Sequence, residues 1–206
     1  FAGSEDCHFE NVIVKNTRGY GGVPAVGIGI SSAVRNSARN CTFIDCGDAA
    51  PNASDGIYSA GESTLISNCV AFNCTDTAFV LENSNYSGIV GCIANACAVG
   101  IGITAATNSD YRGNFASGVT INNWNSVVTG GIQIGCPSVG MTGNLYDTTL
   151  TGITMTASLP TFGSGPAVNI RKVAGSGKAI GVSINGITIQ GSGVTRRGAT
   201  QQGVVV

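Results

Sequence analysis

Little in this sequence is charged. Asp, Glu, Lys and Arg supply 10% of its 206 residues, against about 25% in an ordinary soluble domain. The net charge is −1. The few Arg and Lys are scattered, so the basic stripe that a nucleic-acid-binding surface needs is missing. A disordered chain is excluded as well. It would combine high net charge with low hydrophobicity, and here 43% of the residues are hydrophobic. No apolar run reaches the ~18 residues of a membrane span, so no membrane insertion is expected. Histidine occurs once, as His8, and the cysteines lack C-x-x-C spacing. That leaves no zinc ligand set and no expected metal or cofactor. Long-chain helix formers are scarce, while Val, Ile, Thr, Asn and Ser are common and Gly numbers 31. This composition favours short strands and tight turns.

What the sequence does have is a repeat. One pattern is small–apolar–x–apolar: Gly27-Ile28-Gly29-Ile30, Gly56-Ile57-Tyr58, Ala78-Phe79-Val80-Leu81, Gly100-Ile101-Gly102-Ile103, Gly131-Ile132-Gln133-Ile134, Ala167-Val168-Asn169-Ile170 and Gly203-Val204-Val205-Val206. The other begins with Asn or Gly: Asn11-Val12-Ile13-Val14, Asn40-Cys41-Thr42-Phe43, Asn68-Cys69-Val70-Ala71, Gly91-Cys92-Ile93-Ala94, Gly118-Val119-Thr120-Ile121, Gly152-Ile153-Thr154-Met155 and Gly186-Ile187-Thr188-Ile189. Each reads as a short strand with alternate side chains inward. The two alternate seven times, with a third, weaker strand expected near Val34, Ile66, Ile89, Tyr111, Met141 and Val182.

An all-β, right-handed parallel β-helix of about seven coils follows. It has three short strands per coil and one coil for every ~22 to 36 residues. The Asn/Gly column supplies the bend, because Asn and Gly best tolerate the left-handed region. A parallel sheet with helical crossovers would need amphipathic connections, and the gaps hold Gly, Asn, Ser and Pro instead. A β-sandwich would not repeat one Asn/Gly column for seven rounds. Cys41/Cys46, Cys69/Cys74 and Cys92/Cys97 share one spacing, which reads as stacked, mostly reduced core positions rather than a disulfide framework. Residues 1–206 form one β-helix domain in this reading. The strand-like sequence at both ends leads us to expect a fragment of a longer chain.

Asn40-Cys41-Thr42-Phe43-Ile44-Asp45-Cys46, followed by Asp55-Gly56-Ile57, resembles the coil pattern of the pectate-lyase-like right-handed β-helix superfamily. In character it is closest to bacteriophage tailspikes. The resemblance covers nearly the whole chain and implies an extended polysaccharide as ligand. It also implies a virion or extracellular location and, for tailspikes, a homotrimer.

The segments between the second pattern and the first vary in length. They are long at Thr17 to Val26, Asp45 to Asp55, Thr156 to Pro166 and Gln190 to Gln202, and short between. Long loops around a short-loop floor make a groove over the first-pattern strands. Tyr58, Gln133 and Asn169 should face outward there, an aromatic ring and two amides suited to sugar. A glycosidase needs two carboxylates about 5 to 9.5 Å apart. Asp55, Asp76 and Glu82 are the catalytic candidates, although Asp55 before Gly56 is also an ordinary turn residue. No Asp cluster with an adjacent base supports a metal-assisted lyase.

The expected function is therefore a tailspike-like β-helix that binds, and with those carboxylates depolymerises, host surface polysaccharide such as capsule or lipopolysaccharide. The alternatives are a secreted polysaccharide lyase or glycoside hydrolase, and a structural or adhesive solenoid.

Overall fold

The computed structural model describes residues 3, 5–19, 25–47, 54–125, 130–136, 142–157, 166–172, 177–191 and 204–205. All regular structure among them is β-strand, and every strand pair is parallel. Three seven-stranded sheets run the length of a right-handed solenoid. Sheet I comprises Ile28–Val34, Ile57–Glu62, Thr77–Glu82, Val99–Thr104, Ile132–Cys136, Val168–Lys172 and Val204–Val205. Sheet II runs from His8–Glu10 through Ser37–Arg39, Leu65–Ser67, Gly88–Val90, Phe115–Ser117 and Thr149–Thr151 to Ser183–Asn185. Sheet III runs from Ile13–Lys15 through Thr42–Ile44, Val70–Phe72, Ile93–Asn95, Thr120–Asn122 and Thr154–Ala157 to Thr188–Gly191.

The register is the one the repeat predicts. Ile28, Ile57, Phe79, Ile101, Ile132, Val168 and Val204 are direct ladder partners. The first six are buried, and the side chain of Val204 lies outside the described residues. The second column, Cys41, Cys69, Cys92, Val119 and Ile153, is buried too, while Val12 and Ile187 in the outermost coils are half-covered. Each fully buried aliphatic side chain contributes roughly 1.5–3 kcal/mol, and the columns repeat that gain from coil to coil.

The bend between sheets II and III is left-handed in every coil. Asn11, Asn40 and Asn68 have φ of 57°, 53° and 52°, and Gly91, Gly118, Gly152 and Gly186 have φ of 61°, 62°, 61° and 67°. Their amides keep the ladder going through the corner. Asn40 N–H donates to the Ser67 carbonyl at 3.1 Å and Gly118 N–H to that of Thr151 at 3.0 Å. Cys41, Cys46, Cys69, Cys74, Cys92 and Cys97 are free and buried. Cys69 N–H points at the Cys92 sulfur at 3.4 Å, and Cys74 N–H at that of Cys97 at 3.4 Å. Neighbouring thiols and burial push Cys69 and Cys74 up, which keeps them protonated.

The third strand differs in part from its expected places. Ile66 and Ile89 lie on sheet II, but Val34 ends a sheet I strand and Val182 precedes a sheet II strand. Tyr111 belongs to an added three-stranded sheet of Tyr111–Arg112, Leu145–Tyr146 and Ala179–Ile180. Met141 lies outside the described residues. The inward column of sheet II is Ala38, Ile66, Ile89, Ala116 and Leu150. Two of its members are alanines, which give no apolar–x–apolar signature.

Candidate functional site

Sheet I presents two outward rows. Gly29, Tyr58, Val80, Gly102, Gln133 and Asn169 are ladder partners in one row. Glu82, Thr104 and Gly135 are partners in the next. Tyr58, Gln133 and Asn169 thus occupy one line, but they are not equally accessible. Tyr58 is half-buried, whereas Gln133 and Asn169 are buried, as are Val80 and Gly102 between them. Thr77 and Val80 lie beside Gly102, where a Cβ would meet Thr77 Cγ2 at 3.5 Å and Val80 Cγ2 at 3.9 Å. The short-loop stretch is therefore a filled floor. The accessible part of the face lies in the first three coils, at Gly29, Ser31, Tyr58, Ala60, Asp76 and Glu82. Much of the long loops expected to wall the groove, including 20–24, 48–53, 158–165 and 192–203, lies outside the described residues.

The carboxylates form two groups. Asp55 and Asp76 stand at the start of their sheet I strands. Asp76 N–H donates to the Ser54 carbonyl at 3.2 Å, so Asp76 sits one coil on and one residue back from Asp55. With strands about 4.8 Å apart and about 3.3 Å per residue, their Cα atoms are about 6 Å apart, which suits a carboxylate pair. Thr77 fixes both. Its backbone N–H donates to Asp55 Oδ1 at 3.0 Å, and its hydroxyl donates to Asp76 Oδ1 at 3.4 Å.

Burial, with the charge of Asp76 next and Glu82 further down, pushes the Asp55 carboxyl up to about 8, against the opposing bond from Thr77. Desolvation raises Asp76 also, although its side chain remains open to solvent. Two carboxyls this close do not ionise together easily, and the more enclosed Asp55 keeps the proton.

Glu82 closes the other end of its strand, five residues beyond Thr77. It accepts two hydroxyl hydrogen bonds, from Tyr58 at 2.8 Å to Oε1 and from Thr104 at 3.2 Å to Oε2. The same contact, after burial, pushes the Tyr58 hydroxyl above its ordinary range. Tyr58 is thus pinned by its hydroxyl as well as presenting a ring. Glu62, which ends the strand one coil earlier, bridges to Asn85 rather than standing opposite Glu82, and it is exposed. Sequence reasoning missed Thr77 and Thr104. Thr104 follows from counting outward positions beyond the inward Ile101, whereas Thr77, two residues before the inward Phe79, does not, because alternation breaks at the buried Ala78.

Among the described residues no group of His, Cys, Asp and Glu is arranged to hold a metal. His8 lies far along the coil on sheet II, exposed, with Nδ1 2.8 Å from the Ser37 hydroxyl.

Residues 1–136 match the family described as the right handed beta helix region, and the chain belongs to that family. Two solved structures share the fold. One is a tailspike protein mutant of E. coli bacteriophage HK620 in complex with a pentasaccharide, at 15% identity and a TM-score of 0.58, covering 91% of this chain and 39% of that one. The other is a polygalacturonase from Erwinia carotovora ssp. carotovora, at 11% identity and a TM-score of 0.51, covering 100% of this chain and 58% of that one. The chain thus spans less than two thirds of either. A search of curated proteins finds no match.

Proposed function

We propose that the chain is the polysaccharide-binding β-helix of a virion or extracellular protein, that its sheet I face holds an extended glycan across the first three coils, and that Asp55 and Asp76 hydrolyse it. The observation that carries the reading is the Asp55 carboxyl, held protonated to about pH 8 beside a more open carboxylate. Hydrolysis of a glycosidic bond needs that division of labour. Asp55 gives its proton to the leaving oxygen. Asp76, ionised and accessible, attacks the sugar or activates water. Thr77 holds both carboxyl groups in place, and Tyr58, tied to Glu82, offers a ring face to the sugar. Gln133 and Asn169 contribute amides to the floor wherever a substituent reaches them. The fold shared with a tailspike supports a virion location, and with it a homotrimer. The fold shared with a polygalacturonase supports a secreted hydrolase acting alone. Mass in solution separates the two.

The test measures release of reducing ends from lipopolysaccharide O-antigen and from polygalacturonate. Asp55→Asn and Asp76→Asn should each lower turnover at least a hundredfold, within the usual range for a general acid or base. Glu82→Gln should lower it less and weaken binding. Turnover unchanged in Asp55→Asn would remove the acid. Wild-type protein that neither binds nor cleaves any glycan would leave the structural solenoid as the function.

A further inference from the structure

Sheet II carries two exposed aromatic rings that the sheet I face does not use. Phe115 begins the strand Phe115–Ser117 and pairs directly with Gly88 on the preceding coil. Tyr86 lies two residues before Gly88, and its N–H donates to the Arg112 carbonyl at 2.9 Å, which sets it beside Gly113. Each ring lies against the glycine opposite. A Cβ at Gly88 would collide with the Phe115 ring, and one at Gly113 with the Tyr86 ring. Two missing side chains therefore let two rings pack closely against the backbone of adjacent coils, Phe115 through the end of its ring and Tyr86 through one edge. Two residues of strand separate their anchor points, roughly 7 Å. Tyr86 is 55% exposed and Phe115 37%. Among the described residues no hydrogen bond is made by the Tyr86 hydroxyl. Tyr86 also has φ of 51°, an uncommon conformation for so bulky a residue, at a corner where the other coils place Asp6, Arg35, Ser63, Gly113, Asp147 and Gly181. Arg112 is exposed at the same corner, 5.7 Å from the Tyr146 ring centroid.

We propose that the exposed rings of Tyr86 and Phe115, each packed against a glycine of the adjacent coil, form a second glycan-binding platform, outside the sheet I face. The proposal rests on the polysaccharide reading of that face and adds a separate site to it. Flat aromatic surfaces backed by protein and open on one side take the C–H face of a pyranose. Arg112 supplies rigid donors at the rim for hydroxyl or carboxylate oxygens. A platform of this kind keeps a long chain on the solenoid between encounters with the carboxylates, and it leaves the chemistry itself untouched.

The experiment uses the full chain as wild type, as the Tyr86→Ala/Phe115→Ala double variant and as Tyr58→Ala. Affinity electrophoresis through gels holding E. coli lipopolysaccharide or polygalacturonate reads binding, and sedimentation reads mass. On the glycan that retards wild type, the double variant should bind at least tenfold more weakly at unchanged mass and melting temperature. Equal retardation of wild type and double variant overturns the platform. So does a fall in mass with retardation kept, which makes the rings a protein contact. Loss confined to Tyr58→Ala keeps the sheet I reading and sinks this one. If neither glycan retards wild type, both fall together.

Discussion

The corner between sheets II and III and the outer face of sheet I are built from the same seven coils and solve opposite problems. The corner is uniform. Seven residues in one column are Asn or Gly, all left-handed within a narrow range of φ, and each keeps the backbone ladder intact. The sheet I face is heterogeneous. One row holds Gly, Tyr, Val, Gly, Gln and Asn, the next holds Glu and Thr, and Asp55 and Asp76 converge at its edge. The difference teaches that stacking energy is collected where the column repeats, and that side chains are free to vary where it does not. A solenoid tolerates this because each coil needs only its neighbours.

The contrast breaks most visibly at the core. Phe79 is fully buried between Ile57 and Ile101 in the sheet I column. Phe79→Ala should cost about 3 to 5 kcal/mol in urea unfolding. Ile57 and Ile101 have neighbours on both sides and cannot collapse into the gap. A loss under ~1 kcal/mol would mean that the columns do not pack as one core.

The second effect has the opposite sign. Asp55 keeps its proton in the folded protein to about pH 8, whereas in the unfolded chain it loses it near pH ~3.9. Between those values the native state binds the extra proton, so Asp55 makes stability fall as pH rises through that window and level off above it. Asp55→Asn removes the titration and retains an acceptor for the Thr77 amide. It should flatten the pH profile and gain roughly 1 to 3 kcal/mol near neutral pH, while abolishing turnover. A stability loss with an unaltered pH profile would show that Asp55 is a turn residue and nothing more. Turnover should in addition fall as pH rises past about 8, where the acid is lost.

How much of this was legible depended on where the repeat carried the information. The inward columns and the Asn/Gly corner could be read because one residue class recurs at one position. Sheet II was blurred by Ala38 and Ala116, which mark its core without an apolar pattern. A further left-handed corner escaped because Asp6, Arg35, Ser63, Tyr86 and Asp147 share it with Gly113 and Gly181, and no shared side chain announces the bend. Asp55, Asp76, Glu82 and Tyr58 were visible as a set. Their division into an Asp55–Asp76 pair and a Tyr58–Glu82 pair was not, since it depends on a one-residue diagonal in register and on which hydroxyl reaches which carboxylate.

The smallest effect compares two left-handed corners directly. Gly152 has φ of 61°, and a Cβ there would find its nearest neighbour, the Gly118 nitrogen, at 3.9 Å. Space is not limiting, so Gly152→Ala should cost only the left-handed conformation, about 1 to 2 kcal/mol. Tyr86 has φ of 51° with a bulky side chain already in place. Tyr86→Gly relieves that conformation but uncovers Gly113 and raises the entropy of the unfolded chain. The balance should be a gain of at most about 1 kcal/mol in thermal unfolding. A residue kept for packing alone would instead destabilise on removal, in proportion to the area its ring covers. A gain in stability alongside a loss of glycan retention would identify Tyr86 as a position where the fold gives up stability for a surface, in contrast to Gly152, where the residue serves the bend alone.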